Sequence, residues 1–161
     1  MPDTKSITTE IISIVESWHP RLDSLQAEII TRRRNSQNRT IKQILGHTID
    51  STSNNIHRIV HLQYQQSPLI FPNYATFGNN DRWISIQDYQ HEDWGNLIEL
   101  WKYSLLHFSH VIRNVDETKL ASEWIAGPGE KATLEEMIND FTRHIRLHLS
   151  EINDLINSKS Q

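Results

Sequence analysis

Cysteine is missing altogether from these 161 residues. That absence excludes disulfides, thiolate metal ligands and a cysteine nucleophile together, so any metal has to be held by histidine and carboxylate. Long apolar runs are missing too: no stretch approaches the ~20 residues that span a bilayer. The opening MPDTKSITTE has neither the basic nor the apolar region of a signal peptide. A cytoplasmic location is therefore expected. An excess of positive charge is also lacking. A net charge of −4 gives no general attraction to nucleic acid or anionic lipid, and neither is expected as a partner. Of the local cluster of Arg32, Arg33, Arg34 and Arg39, three read instead as the cationic close of a helix. Glycine-rich phosphate loops, G-x-S-x-G elbows and internal repeats do not occur, and strand-like alternation is nearly absent.

What is present is helical periodicity. With 37% hydrophobic and 22% charged residues the chain has enough apolar surface to fold, and its length suits one domain over residues 1–161. The first predicted helix runs from about Ser6 to Arg34 through Ile7, Ile11, Val15, Trp18, Leu22, Leu25 and Ile29, with Pro20 expected to kink or break it after Trp18. The second opens at a capping box of Thr40 and Gln43 and reaches about Gln66. The third covers roughly Glu92 to Asn114, where Trp94, Leu97, Trp101, Leu105, Phe108 and Ile112 trace one face. The fourth starts at a second capping box, Thr133 and Glu136, and ends near Asn157. The connection over residues 67–91 is aromatic and is expected to pack over one end of a bundle, whereas AGPGEK within residues 115–132 signals a turn. The fold class is all-α: a four-helix bundle whose long connections allow parallel neighbours.

The segment DFTRHIRLHLSEI holds His144 and His148, one helical turn apart. At about 100° per residue, His148 falls inside the apolar arc of the fourth helix formed by Met137, Ile138, Phe141, Ile145, Leu149 and Ile152, and His144 lies at its edge. A second pair at the same spacing, His57 and His61, turns away from the apolar face of its helix, as do His107 and His110. Those four read as surface residues. A histidine facing a core is costly unless its nitrogens are satisfied. Two on adjacent turns facing one interior fit either separate hydrogen-bonded core residues or a shared metal, and the pattern does not choose. A third ligand would have to come from another helix. Periodicity gives no help with His47, which lies roughly 60° outside the apolar arc of its helix and reads on that ground as a flank residue.

Taken together, TIKQILGHTIDSTSNNIHRIVHLQ, FPNYATFGNNDRWISIQDYQHEDWGNLIELW and TLEEMINDFTRHIRLHLSEI resemble the DinB/YfiT-like superfamily over essentially the whole chain. The resemblance implies an up-down-down-up bundle and a divalent metal, zinc or nickel, held by His47, His144 and His148. Relatives often carry a further histidine just before the last ligand, where this chain has Leu147. It also implies a small-molecule substrate and possible use of a low-molecular-weight thiol, by a monomer or homodimer. Ligating histidines usually donate their second nitrogen to a carboxylate or carbonyl, and Asp50 and Asp140 stand one turn from His47 and His144 as candidate outer partners or bases. Asn54 is a candidate pocket residue, and Phe71, Tyr74, Phe77 and Trp83 a candidate lid.

Three functions are compatible with such a site: a metal-dependent hydrolase, a thiol S-transferase of the bacillithiol type, and a non-catalytic metal-stabilised protein linked to stress. The motif lacks the glutamate that H-E-x-x-H proteases place beside the first ligand; here Ile145, Arg146 and Leu147 separate the two histidines.

Overall fold

Among the described residues, 2–158, a computed structural model shows six α-helices and one short β-hairpin. Helix α1 spans Thr4–Asp23 and is capped by Asp3, whose carboxylate accepts from the Ser6 N–H at 3.0 Å. The single first helix expected to reach Arg34 is two helices, because α2, Ala27–Arg32, follows after a turn. Pro20 lies inside α1 rather than ending it. It falls in the last turn, where a missing N–H removes one bond from a ladder about to end. The arginine run also differs from expectation. Arg32 does close α2, but Arg33 crosses to another element and donates to the carbonyls of Leu155 and Ile156 at 2.8 and 2.9 Å.

Helix α3, Ile41–Leu62, opens with the expected capping box of Thr40 and Gln43 and stops short of Gln66. The aromatic connection after it contains helix α4, Asn79–Ile86, and a 3-10 turn at Tyr89–His91. Helix α5 follows over Trp94–Arg113, and helix α6 over Leu134–Asn157 with its capping box of Thr133 and Glu136 in place. Before α6 lies a hairpin that alternation did not reveal. Strand β1, Glu123–Gly127, pairs antiparallel with β2, Glu130–Thr133. These strands are too short for alternation to register. Their turn depends on Gly129, whose φ of 75° a side chain would strain. Leu69 joins the hairpin edge, donating its N–H to Glu123 O and accepting from the Ile125 N–H at 2.8 and 3.0 Å.

Helices α1, α3, α5 and α6 form the bundle, and contacts between their ends fix its directions. Lys42 at the start of α3 donates to Gln90 O and Glu92 O beside the start of α5. Gln63, just past α3, accepts from the Asp116 N–H just past α5. The two middle helices are therefore parallel. Trp94 at the start of α5 donates to Leu22 O near the end of α1, which makes those two antiparallel. Arg146 meets Glu10, and Arg21 meets Asn153, so α1 and α6 run together. The result is up-down-down-up.

The stripes read from sequence become the core. Leu97, Trp101, Leu105, Phe108 and Ile112 of α5 and Met137, Ile138, Phe141, Ile145 and Ile152 of α6 are all buried in one core. The Phe108 and Phe141 rings stack with centroids 3.6 Å apart. Each side chain buried in this way stabilises the fold by roughly 1.5–3 kcal/mol. No helix of the described residues is long and apolar enough to cross a membrane.

Candidate metal centre

His47 sits in the second turn of α3 with 5% of its surface exposed, although periodicity placed it off the apolar face. The reason is tertiary. Helix α3 packs against α5 and α6 and also against α2, α4, β1 and the 3-10 turn, so flanks that would be wet in a simple bundle are covered. Gly46 permits the closest of these approaches. A Cβ there would stand 2.2 Å from Cδ2 of Tyr89, so only a hydrogen lets that ring lie against the helix.

From α6, His148 is 6% exposed and His144 is half-buried, and their Nε2 atoms are 3.1 Å apart. The His47 ring meets the other two edge-on, with centroids at 4.5 Å from His148 and 5.8 Å from His144. One ring nitrogen from each of the three lies within 4.8 Å of the others. His57, His107 and His110 are exposed, and His61 is half-buried beside Phe71, bonded to Tyr64 and Gln65. None of these joins the cluster, although His61 is more covered than a surface reading expects.

The hydrogen-bond partners decide which nitrogens are free. Glu151 Oε2 lies 3.0 Å from Nδ1 of His148, and a carboxylate only accepts. His148 therefore carries its hydrogen on Nδ1 and its lone pair on Nε2. The Tyr74 hydroxyl donates to His47 O at 3.2 Å and lies 2.7 Å from His47 Nδ1. With Nδ1 engaged by Tyr74, Nε2 is the His47 nitrogen left for the cluster. Burial, reinforced by the other imidazoles and by Arg39, holds the His47 pKa down to about 2. Burial, His148 and Arg143 lower His144 to about 4 against an opposing pull from Asp140. These two rings are neutral at neutral pH, the form that binds metal.

The donor set fits a divalent ion of borderline softness. Two nitrogens bound at 2.0–2.1 Å to a tetrahedral ion stand about 3.3 Å apart, close to the His144–His148 separation. Three imidazoles add no negative charge, and zinc and nickel suit such ligands equally.

The two acids expected near the ligands have other partners. Asp50 is buried and accepts from Tyr89 Oη at 2.6 Å and Gln87 Nε2 at 2.8 Å. Burial raises its pKa, and those two bonds pull it back. Asp140 lines the cleft beside the cluster but is gripped by Nε and Nη2 of Arg143, which hold its pKa down. Neither hydrogen-bonds an imidazole. That position belongs to Tyr74 and to Glu151, which sequence reasoning missed despite its place three residues after His148 on the same helix.

The cleft leading to the histidines has a volume of about 590 Å³, and His47, Ser51, Asn55 and Arg58 of α3 form one side of it. Asn54 is not among its lining residues; it is buried and donates to Asp50 O at 2.9 Å. Of the aromatic segment, Tyr74 alone touches the cluster. Trp83 packs edge-on behind it at 5.3 Å, Phe71 lies beside Arg58, and Phe77 is exposed. Leu147 is 49% exposed, so the departure from the related pattern faces solvent rather than the histidines.

Comparison with known proteins agrees with this fold. YfiT from Bacillus subtilis, described as a probable metal-dependent hydrolase with an unusual four-helix bundle topology, superimposes with a TM-score of 0.78 at 16% identity, over 94% of this chain and 85% of that one. A mycothiol-dependent maleylpyruvate isomerase superimposes with a TM-score of 0.74 at 12% identity, and this chain covers 61% of its length. At such identities the likeness speaks for the fold. No curated protein matches the chain significantly in sequence. The sequence pattern of the DinB superfamily, however, matches residues 16–152, most of the chain and all three clustered histidines. The chain belongs to the DinB superfamily.

Proposed function

We propose that this protein is a divalent-metal-dependent enzyme acting on small molecules, with His47, His144 and His148 as metal ligands, and that it transfers a low-molecular-weight thiol to an electrophile. When bound, the ion supplies positive charge that lowers the pKa of a thiol or water brought to it. The chain supplies the rest. Tyr74 and Glu151 hold two imidazoles by Nδ1, burial keeps His47 and His144 neutral, and the cleft admits the reactants.

One observation favours thiol transfer over hydrolysis: the carboxylates around the histidines are already committed. Glu151 is bonded to His148, Asp50 to Tyr89 and Gln87, and Asp140 to Arg143, while Glu136 caps its own helix. Bound water could ionise beside the ion as well, but hydrolysis also calls for a group that passes a proton to the leaving group. A thiol is acidic enough to ionise beside a cation without a base. Hydrolysis is the second reading, supported by the position of Asp140 in the cleft one turn before His144. It requires the Arg143 grip to open.

The test is to incubate metal-loaded protein with a small electrophile, with and without bacillithiol, and follow the conjugate. Thiol-dependent conjugation that disappears in His148→Ala supports transfer. Thiol-independent ester or amide turnover that disappears in the same variant establishes hydrolysis instead.

A further inference from the structure

Among the described residues, Arg58 is a cation with no carboxylate partner. It is 5% exposed, at the far end of the cleft from the histidines. A guanidinium has five N–H donors. This one makes a single hydrogen bond, from Nη1 to Asn55 Oδ1 at 3.0 Å, and its Nε–H is buried without an acceptor. Among the described residues the group that favours its charge is the Tyr74 phenol, which burial keeps un-ionised, and no carboxylate acts on it. The acids nearest along the cleft wall, Glu136 and Asp140, are held by Thr133 and Arg143. Lys131, which also lines the cleft, is paired with Glu123 at 3.0 Å.

Leaving a buried donor unsatisfied costs about 1–3 kcal/mol, and more when it is charged. The site is nevertheless built to hold Arg58 in place. The Trp124 ring lies 4.1 Å from its Cζ, and the Phe71 ring lies 5.4 Å away. These contacts hold the guanidinium without using its N–H donors. Its forked donors match a planar, singly charged, two-oxygen anion.

His47, Ser51, Asn55 and Arg58 follow one another at helical spacing along α3, all lining the same cleft. From His47 to Arg58 the helix advances about 16 Å. We propose that Arg58 is the carboxylate-binding end of this cleft, which therefore takes an elongated small molecule with a carboxylate at one end and its reacting group at the histidines. This specifies the substrate class for the metal-dependent reading above and rests on it for the identity of the reacting end. The anion end stands on Arg58 alone.

The test uses the full chain, both metal-free and zinc-loaded, with octanoate and octanamide as a charged and neutral pair. Calorimetric titration of wild type is expected to show octanoate binding at least tenfold more tightly than octanamide, with or without the ion. Arg58→Gln is expected to abolish that preference without changing the octanamide affinity, and Arg58→Lys to keep part of it. Equal affinities in wild type, or a preference that survives in Arg58→Gln, would overturn the assignment. Should Arg58→Gln fail to fold, the wild-type pair and Arg58→Lys still decide. A third probe, 8-mercaptooctanoate, tests the ends together in zinc-loaded protein. Binding tighter than octanoate in zinc-loaded protein, and not in metal-free protein, puts the carboxylate and thiol ends in one molecule. Loss of the thiol gain with the octanoate preference intact would defeat the metal–thiol reading and leave Arg58 as the anion site.

Discussion

The hydroxyl of Tyr74 lies 2.7 Å from Nδ1 of His47, and through that contact a residue of the loop before α4 decides which nitrogen of a helix α3 residue faces the cluster. The same hydroxyl reaches His47 O, so ring and backbone are held together. Outer partners of this kind typically change metal affinity by about 10–100-fold. Tyr74→Phe is therefore expected to weaken zinc binding on that scale while leaving the bundle folded. Competition titration against a chromophoric chelator, with circular dichroism beside it, measures both. Unchanged affinity would show that the ring is held by packing alone.

His47→Ala, His144→Ala and His148→Ala should each lose stoichiometric metal, because two imidazoles hold an ion far less tightly than three. His57→Ala and His61→Ala should retain it, since neither ring approaches the cluster. Metal analysis of the purified variants distinguishes the two groups. Retention of metal by His47→Ala would remove α3 from the site.

Chelation should lower the melting temperature without unfolding the protein. An ion at a hundredfold excess over its Kd adds about 2.7 kcal/mol to the folded state. The stacked Phe108 and Phe141 and the stripes around them form a core that needs no ion. Loss of the helical circular dichroism signal on chelation would contradict this and make the metal structural.

In the metal-free protein, stability should fall as the solution is acidified below pH 6.5. The folded His144 titrates at about 4 and His47 at about 2, both held below the ordinary value of 6.5 chiefly by burial. Between 6.5 and 4 the unfolded chain takes up protons at these positions that the folded chain refuses, so unfolding gains. Above 6.5 neither state is charged there and the effect vanishes. Urea midpoints in chelator at pH 7.5, 6 and 5 should drop more steeply for wild type than for His144→Gln; parallel slopes would refute the assignment.

Gly46→Ala should destabilise the fold by about 1–3 kcal/mol, the usual range for a methyl forced into a packed site. The added Cβ would overlap the Tyr89 ring, whose hydroxyl holds Asp50. Denaturant unfolding measures the loss. A change below the error of the method would show that the 3-10 turn gives way freely.

The bundle was legible because its signals are local. The capping boxes at Thr40 and Thr133 and the stripes on α5 and α6 follow from hydrogen-bond reach and helical period, which the chain carries wherever it folds. The boundary errors came from competition between local effects. Pro20 is tolerated where the helix was ending, and the hairpin strands were too short for alternation to register.

The sequence by itself determined four amphipathic helices, where most of them start, and that His148 and His144 share an inward face of α6. Tertiary structure alone decided the rest of the site. It buried His47, because Tyr74 and the two histidines of α6 close over a flank that periodicity reads as exposed. It gave the outer positions to Tyr74 and Glu151 while binding Asp50 and Asp140 elsewhere. It also set Arg58 beside Trp124 with no carboxylate partner among the described residues. The physical reason is range: period and capping act within a few residues of the chain, whereas hydrogen bonds and desolvation depend on whatever group the fold brings within a few ångströms.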